Sequence, residues 1–172
     1  KDIPLSYFEP QWPIPAGVRS IVTLRTGGRS KTPFATNNLA THVGDDDYSV
    51  SCNRLDMVST LSLPEEPRWL KQVHGNQLAD AASMAVGEEA DGSYSRVSGV
   101  ICAVLTADCM PVLLCNRRGD QVAAVHAGWR GLASGILENA VDIFTDPAEQ
   151  IMAYLGPAIG PTAFEVGSDV LA

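Results

Sequence analysis

Two short apolar runs give the clearest pattern in this chain. Met110–Cys115 and Val122–Val125 are each bounded by turn residues and joined by Arg117-Arg118-Gly119-Asp120. Runs of that length, apolar throughout, read as buried strands of an antiparallel hairpin. Ile151–Leu155 reads as a further strand, and Gly99–Thr106 as the most apolar strand of all. Val18–Thr26 alternates with a period of two, placing Val18, Ser20, Val22 and Leu24 on one face. Arg68–Val73 reads as a strand ending at His74, with Gln77–Ala82 returning beside it, and Ala90-Asp91-Gly92 as a turn. Helical spacing marks two segments: Ser49–Leu61, through Val50, Arg54, Met57, Val58 and Leu61, and Leu132–Phe144, through Leu132, Ile136, Leu137, Ala140, Val141 and Phe144. The proline-rich first seventeen residues are an extended lead-in, residues 29–44 carry no periodicity, and Ser168-Asp169 reads as the start of a helix. Strands in the middle with two or three helices predict an α+β fold in which helices cover a mixed sheet.

The hairpin has a chemical consequence. Cys109 directly precedes its first strand and His126 directly follows its second, seventeen positions later. The start of one antiparallel strand and the end of the next share one end of the sheet, so these two side chains are expected neighbours. Gly128 and Gly131 then flank Trp129-Arg130, a turn that brings backbone N–H groups to the same place.

Composition narrows the function classes. With 45% hydrophobic and 19% charged residues over 172 positions, the chain can bury a core as a single domain, 1–172. A net charge of −8 argues against nucleic acid or an anionic membrane as partner. No apolar run approaches the ~18 residues of a membrane span, and no signal peptide is evident, so a cytoplasmic protein is expected. The four cysteines show no disulfide-framework spacing, and Cys102 and Cys115 read as buried small hydrophobes.

Only three histidines are present: His42, His74 and His126. His74 and His126 sit at expected strand ends, as Cys109 does. Two imidazoles and a thiolate make a zinc set with an open fourth position. The same set is the equatorial set of a blue-copper site, although Met110, the candidate axial ligand, alternates onto the other face and reads as core. A third reading needs no metal: Cys109 is a nucleophile and His126 its base, in a hydrolase. Arg25, Asn38, His42 and Arg130 are polar groups at loops or strand ends, and Glu165, between Phe164 and Val166, calls for a partner or a raised pKa.

Eight stretches carry a resemblance. They are T-L-R-T-G-G-R-S at 23–30, N-L-A-T-H-V-G-D at 38–45, W-L-K-Q-V-H-G at 69–75, A-D-G-S-Y at 90–94, T-A-D-C-M-P-V at 106–112, A-A-V-H-A-G-W-R-G at 123–131, L-G-P-A-I-G-P at 155–161 and F-E-V-G at 164–167. In this order they resemble the YfiH-type laccase-domain family, described both as multicopper polyphenol oxidases and as purine nucleoside phosphorylases. The resemblance implies a zinc ion on His74, Cys109 and His126, with copper as the alternative. It implies a four-layer α/β/β/α architecture similar to cytotoxic necrotising factor-type cysteine hydrolases. It also implies phosphorolysis of adenosine, inosine, guanosine or methylthioadenosine, and deamination of adenosine, so that nucleoside and phosphate are the expected partners. Other members are linked to phenol oxidation or peptidoglycan-precursor editing. Family chains continue beyond the F-E-V-G stretch, so a domain truncated at its C-terminus, with self-association through uncovered faces, is expected.

These activities assign roles. Cys109 and His126 are the expected catalytic centre, with Glu165 as proton shuttle for deamination. Arg25, Asn38, His42 and Arg130 are the expected substrate-binding residues, with Arg25 and the 128–131 turn toward phosphate. A true multicopper oxidase needs roughly ten histidines, so oxidase activity ranks below zinc chemistry.

Overall fold

The computed structural model describes residues 4–168 and 170. The helix expected from Ser168-Asp169 lies partly outside them. The chain forms two compact units, one of Lys1–Trp12 with Arg19–Glu66, the other of Pro13–Val18 with Pro67–Ala172. Each is mixed α and β, as the sequence pattern predicts. No helix among the described residues is long and apolar enough to cross a membrane.

In the first unit a two-residue strand, β1 (Tyr7–Phe8), pairs antiparallel with β2 (Val22–Thr23). The strand expected over Val18–Thr26 is therefore far shorter, because regular pairing stops after two residues on each side. Helix α1 (Asp47–Thr60) starts where Asp46 caps it, its carboxylate accepting from the Ser49 N–H at 2.9 Å. Val50 and Met57 are buried as expected, but fully buried Asn53 lies between them. Its amide explains how residues 29–44 hold a fixed path without regular structure. Asn53 Oδ1 accepts from Arg29 N at 2.7 Å, and Nδ2 donates to Ser30 Oγ at 2.9 Å and to the Asn38 carbonyl at 2.8 Å. A side chain thus satisfies polar groups that a strand or helix would otherwise pair.

The second unit is built on a five-stranded mixed sheet in the order β3-β4-β6-β5-β7. Strands β3 (Leu78–Asp80) and β4 (Gly92–Ser95) are parallel. Strand β6 (Val122–Ala127) pairs antiparallel with β4 and with β5 (Met110–Asn116), and β7 (Ile151–Leu155) adds antiparallel to β5. The hairpin of the sequence reading is β5–β6, with Met110 opposite Ala127 and Pro111 opposite His126.

Three expected elements are corrected here. Residues 68–73 form only an isolated bridge, Lys71 to Glu89, and β3 pairs with β4 instead of returning beside them. Ala90-Asp91-Gly92 is no turn, since Gly92 opens an interior strand whose small side chains, Ser93 and Ser95, are buried. Gly99–Thr106 is not a strand. None of its residues is buried, and Leu105 exchanges both backbone hydrogen bonds with the Gln72 side chain at 2.7 Å each. An amide side chain presents a donor and an acceptor together, which is what a strand neighbour would offer.

The helix expected over Leu132–Phe144 begins earlier and breaks in the middle. Helix α2 (Trp129–Ala133) and α3 (Ile136–Asp142) are separated at Ser134-Gly135, where Gly135 has φ +88°. That left-handed conformation interrupts the helical ladder and favours glycine. Ile136, Ala140 and Phe144 pack against Val112, Leu114, Ala123, Val125 and Ala127 to form the main core. Met110 packs against this core, as its alternation predicts. The packing fixes the faces of the sheet: Val125 and Ala127 point to the helix, so His126 between them projects from the other face.

Candidate metal centre

His74, Cys109 and His126 come together in the second unit. One ligand atom from each lies within 4.8 Å of the other two, and among the described residues this is the group that could hold a metal ion. The His74 and His126 rings meet edge to face, with centroids 4.8 Å apart and planes at 77°. His126 is buried at 4% exposure, Cys109 is half-buried and His74 is exposed. The site therefore has a sheltered floor and an open side.

Each ligand is placed by a different part of the fold. His126 is fixed by ladders on both sides of β6. Cys109 is delivered by the start of β5, where the neighbouring Asp108 carbonyl accepts from Ile159 N at 2.9 Å. His74 lies on a loop and has φ +60°, a left-handed backbone that a residue with a Cβ adopts only when its surroundings hold it there. Gly128 lies against all three. A Cβ at that position would stand 3.1 Å from Cys109 Sγ, 3.1 Å from His74 Cδ2 and 3.7 Å from His126 Cε1. The absence of a side chain at Gly128 thus makes room for the ligands.

The structure adds a residue that the sequence reading took for part of a turn. Asp91 is fully buried and accepts from His126 Nδ1 at 2.8 Å. It also accepts from the backbone N–H groups of Val73 at 3.1 Å, His74 at 2.9 Å and Gly75 at 2.7 Å. Burial alone would raise its pKa, but the His126 hydrogen bond and the three backbone donors outweigh burial and hold the carboxyl below its ordinary value. The signal available in the sequence was a lone acid in an Ala-Asp-Gly stretch, which also describes a turn.

Cys109 responds differently. Burial pushes its thiol pKa up, and the negative charges of Asp108 and Asp91 push the same way. A bare thiolate is disfavoured at this position, and a cation among the three ligands would reverse that balance. The donor set fits a metal ion by chemistry: two imidazoles and one sulfur converge, with a carboxylate on the far nitrogen of one ring. Cys102 and Cys115 are set apart from the site. Desolvation pushes the half-buried Cys102 up to about 12 and the buried Cys115 up to about 11, so both thiols stay protonated.

Of the remaining expected site residues, Arg130 and Glu165 belong to the second unit, outside the group of three ligands. Arg25, Asn38 and His42 belong to the first unit. Arg25 and His42 are exposed, whereas the Asn38 amide is spent within its own loop, donating to the Ala40 carbonyl and to Asp45 at 3.0 Å each. Arg130 is exposed and lies over the Trp129 ring, 4.2 Å from its centroid. Glu165 is exposed on a coil segment between the equally exposed Phe164 and Val166.

A family model described as multi-copper polyphenol oxidoreductase laccase matches residues 19–172. The chain belongs to this family. It is 50% identical over 162 residues to a protein of Escherichia coli strain K12 named purine nucleoside phosphorylase YfiH, covering 94% of this chain and 67% of that protein. A Pseudomonas aeruginosa relative, also named a purine nucleoside phosphorylase, is 48% identical over 96% of this chain and 67% of its own length. The chain thus spans about two thirds of these laccase-family relatives. Among solved structures, Neisseria meningitidis protein NMB0706 is similar with a TM-score of 0.90 at 45% identity, covering 96% of this chain and 68% of that one. YlmD from Geobacillus stearothermophilus follows with a TM-score of 0.80 at 34% identity, covering 90% and 63%.

Proposed function

We propose that this chain carries the metal centre of a purine nucleoside phosphorylase, with zinc held by His74, Cys109 and His126. The carrying observation is the convergence of these three ligand atoms within 4.8 Å of one another, in a chain 50% identical to a relative that bears that name. The donor set, one thiolate and two imidazoles with an open fourth position, suits zinc, and a blue-copper centre is disfavoured because Met110, the candidate axial ligand, packs into the core. The three histidines of the whole chain also fall short of a multicopper cluster. We infer in addition that the α/β/β/α layering implied by the family resemblance belongs to the fold of the longer relatives, of which this chain spans about two thirds.

When bound, such an ion supplies a Lewis acid and makes a bound water more acidic. The other parts are supplied by this chain. His126, with Nδ1 occupied by Asp91, turns its other nitrogen to the centre. Cys109 offers a sulfur whose ionisation a cation favours. The exposed edge of His74 leaves an approach for a small molecule. In phosphorolysis, phosphate attacks C1′ of the ribose and the purine leaves, so the phosphate needs cationic or N–H donors. Arg130, in the same unit as the three metal ligands, is the proposed substrate-binding cation. Adenosine deamination is proposed as a second reaction of the same centre, in which water attacks C6 of the purine and ammonia leaves.

The test is phosphate-dependent release of hypoxanthine from inosine and adenine from adenosine by the purified chain. Bound metal is quantified in the same preparation, and the Escherichia coli relative serves as reference. The expected result is one zinc per chain and base release that requires phosphate and disappears in Cys109→Ala. Zinc-loaded chain that releases no base, under conditions where the reference does, would overturn the reading. Phenol oxidation that tracks copper content would favour the oxidase instead.

A further inference from the structure

We infer that Asp91 is the positioning residue of this centre: one buried carboxylate fixes the ring tautomer of His126 and the backbone of His74 together, so that two of the three ligands are set as a unit. The inference rests on the metal-centre reading above and adds to it how the ligands are aimed.

The argument starts from donor counting. An ionised carboxylate only accepts hydrogen bonds, so the 2.8 Å contact between its Oδ1 and His126 Nδ1 requires the proton to be on Nδ1. Nε2 is then left with its lone pair free, which is the form a metal ligand needs. The same Oδ1 accepts from His74 N at 2.9 Å, and Oδ2 accepts from Val73 N at 3.1 Å and Gly75 N at 2.7 Å. Three successive N–H groups aimed at one acid form an anion-binding nest, and the nest holds His74 in its left-handed conformation at φ +60°. The acid is itself held by the sheet: Asp91 N donates to the Gln77 carbonyl at 3.0 Å, and His126 N donates to the Asp91 carbonyl at 2.7 Å.

Both oxygens are therefore committed to donors. Asparagine has the same shape but carries one acceptor oxygen and one donor NH2 group. In either orientation Asp91→Asn sets its NH2 against N–H groups: the Val73 and Gly75 amides at one oxygen position, or the His74 amide and the His126 ring at the other. The substitution keeps the volume and removes the ability to serve both ligands at once. A carboxylate that merely filled space would tolerate it.

Two measurements on the full chain test this. The first uses the wild type without metal and histidine labelled with 15N. Long-range proton–nitrogen correlation is expected to show His126 as the Nδ1–H tautomer; an Nε2–H tautomer, or rapid exchange between the two, would overturn the inference. The second is titration with cobalt(II), followed by the thiolate-to-cobalt absorption band that a Cys109 ligand produces. Asp91→Asn is expected to bind cobalt about 10- to 100-fold more weakly, the usual effect of removing a partner behind a metal-bound histidine. A folded Asp91→Asn chain with wild-type affinity and an unchanged band would overturn the positioning role and leave the metal reading intact. A wild-type chain that gives no band would overturn both. Should the variant not fold, the tautomer measurement on the wild type decides the question alone.

Discussion

Pro111 lies directly opposite His126 in the β5–β6 ladder, and Cys109 is two residues before Pro111 on the same strand course. Residues two apart on a strand face the same side, so the cysteine and the histidine are diagonal neighbours across the ladder. A register slip of one residue would turn His126 to the helix-covered face and separate it from the thiol. The buried alternation of Val112, Leu114, Ala123 and Val125 prevents that slip, so core packing and ligand placement have the same cause.

Because Cys109 alone among the cysteines joins the cluster, Cys109→Ala is expected to abolish stoichiometric metal binding. Cys102→Ala is expected to keep it and to lower stability by about 1 kcal/mol through a small void. Metal analysis of both proteins, with urea melts, checks the pair. Loss of metal from both would reassign the ligand. In the wild-type chain, Cys102 and Cys115, raised to about 12 and about 11, should resist alkylation at pH 8.

Gly128→Ala adds a methyl group 3.1 Å from both Cys109 Sγ and His74 Cδ2. At φ −72° the backbone accepts alanine, so the fold should persist while the ligands are pushed apart. The expected result is metal affinity lower by about an order of magnitude, corresponding to ~1.4 kcal/mol, with little change in melting temperature. Competition with a chromogenic chelator reads it, and unchanged affinity would show that the ligands move aside freely.

The folded-state pKa of Asp91 lies below its ordinary value. The stabilisation this provides is fully present above the unfolded carboxyl pKa, near ~3.9, and is lost as pH falls through the lowered folded value. Urea midpoints of the metal-free chain should therefore drop in that acidic window. Asp91→Asn should be less stable at neutral pH and show a flatter acid limb. Parallel limbs in the two proteins would remove Asp91 from the acid response.

Gly135, at φ +88°, separates α2 from α3. Gly135→Ala places a Cβ in the left-handed region and is expected to destabilise by roughly 1 kcal/mol, with Gly135→Asn less affected. Denaturant unfolding gives both values. A stabilised alanine variant would mean that the two short helices can merge into the single one the periodicity suggests.

Local chemistry determined a good part of this protein. The β5–β6 hairpin, the edge strand Ile151–Leu155, most of α1 and the core position of Met110 follow from apolar runs, turn residues and alternation, because burial of one face leaves a periodic record in the chain. The proximity of Cys109 and His126 follows from the hairpin alone, with no knowledge of the rest of the fold.

Tertiary structure decided what depends on partners far away in sequence. Gly92–Ser95 is an interior strand because β3 and β6 supply its hydrogen bonds, while its small residues carry no strand signal of their own. Gly99–Thr106 has the composition of a strand and does not become one, because Gln72 takes its backbone groups at Leu105. Asp91 looks like a turn residue until folding brings it between the 73–75 loop and His126. A hydrogen bond spanning 35 positions leaves no periodic trace, and only the folded chain reveals that one acid serves two ligands.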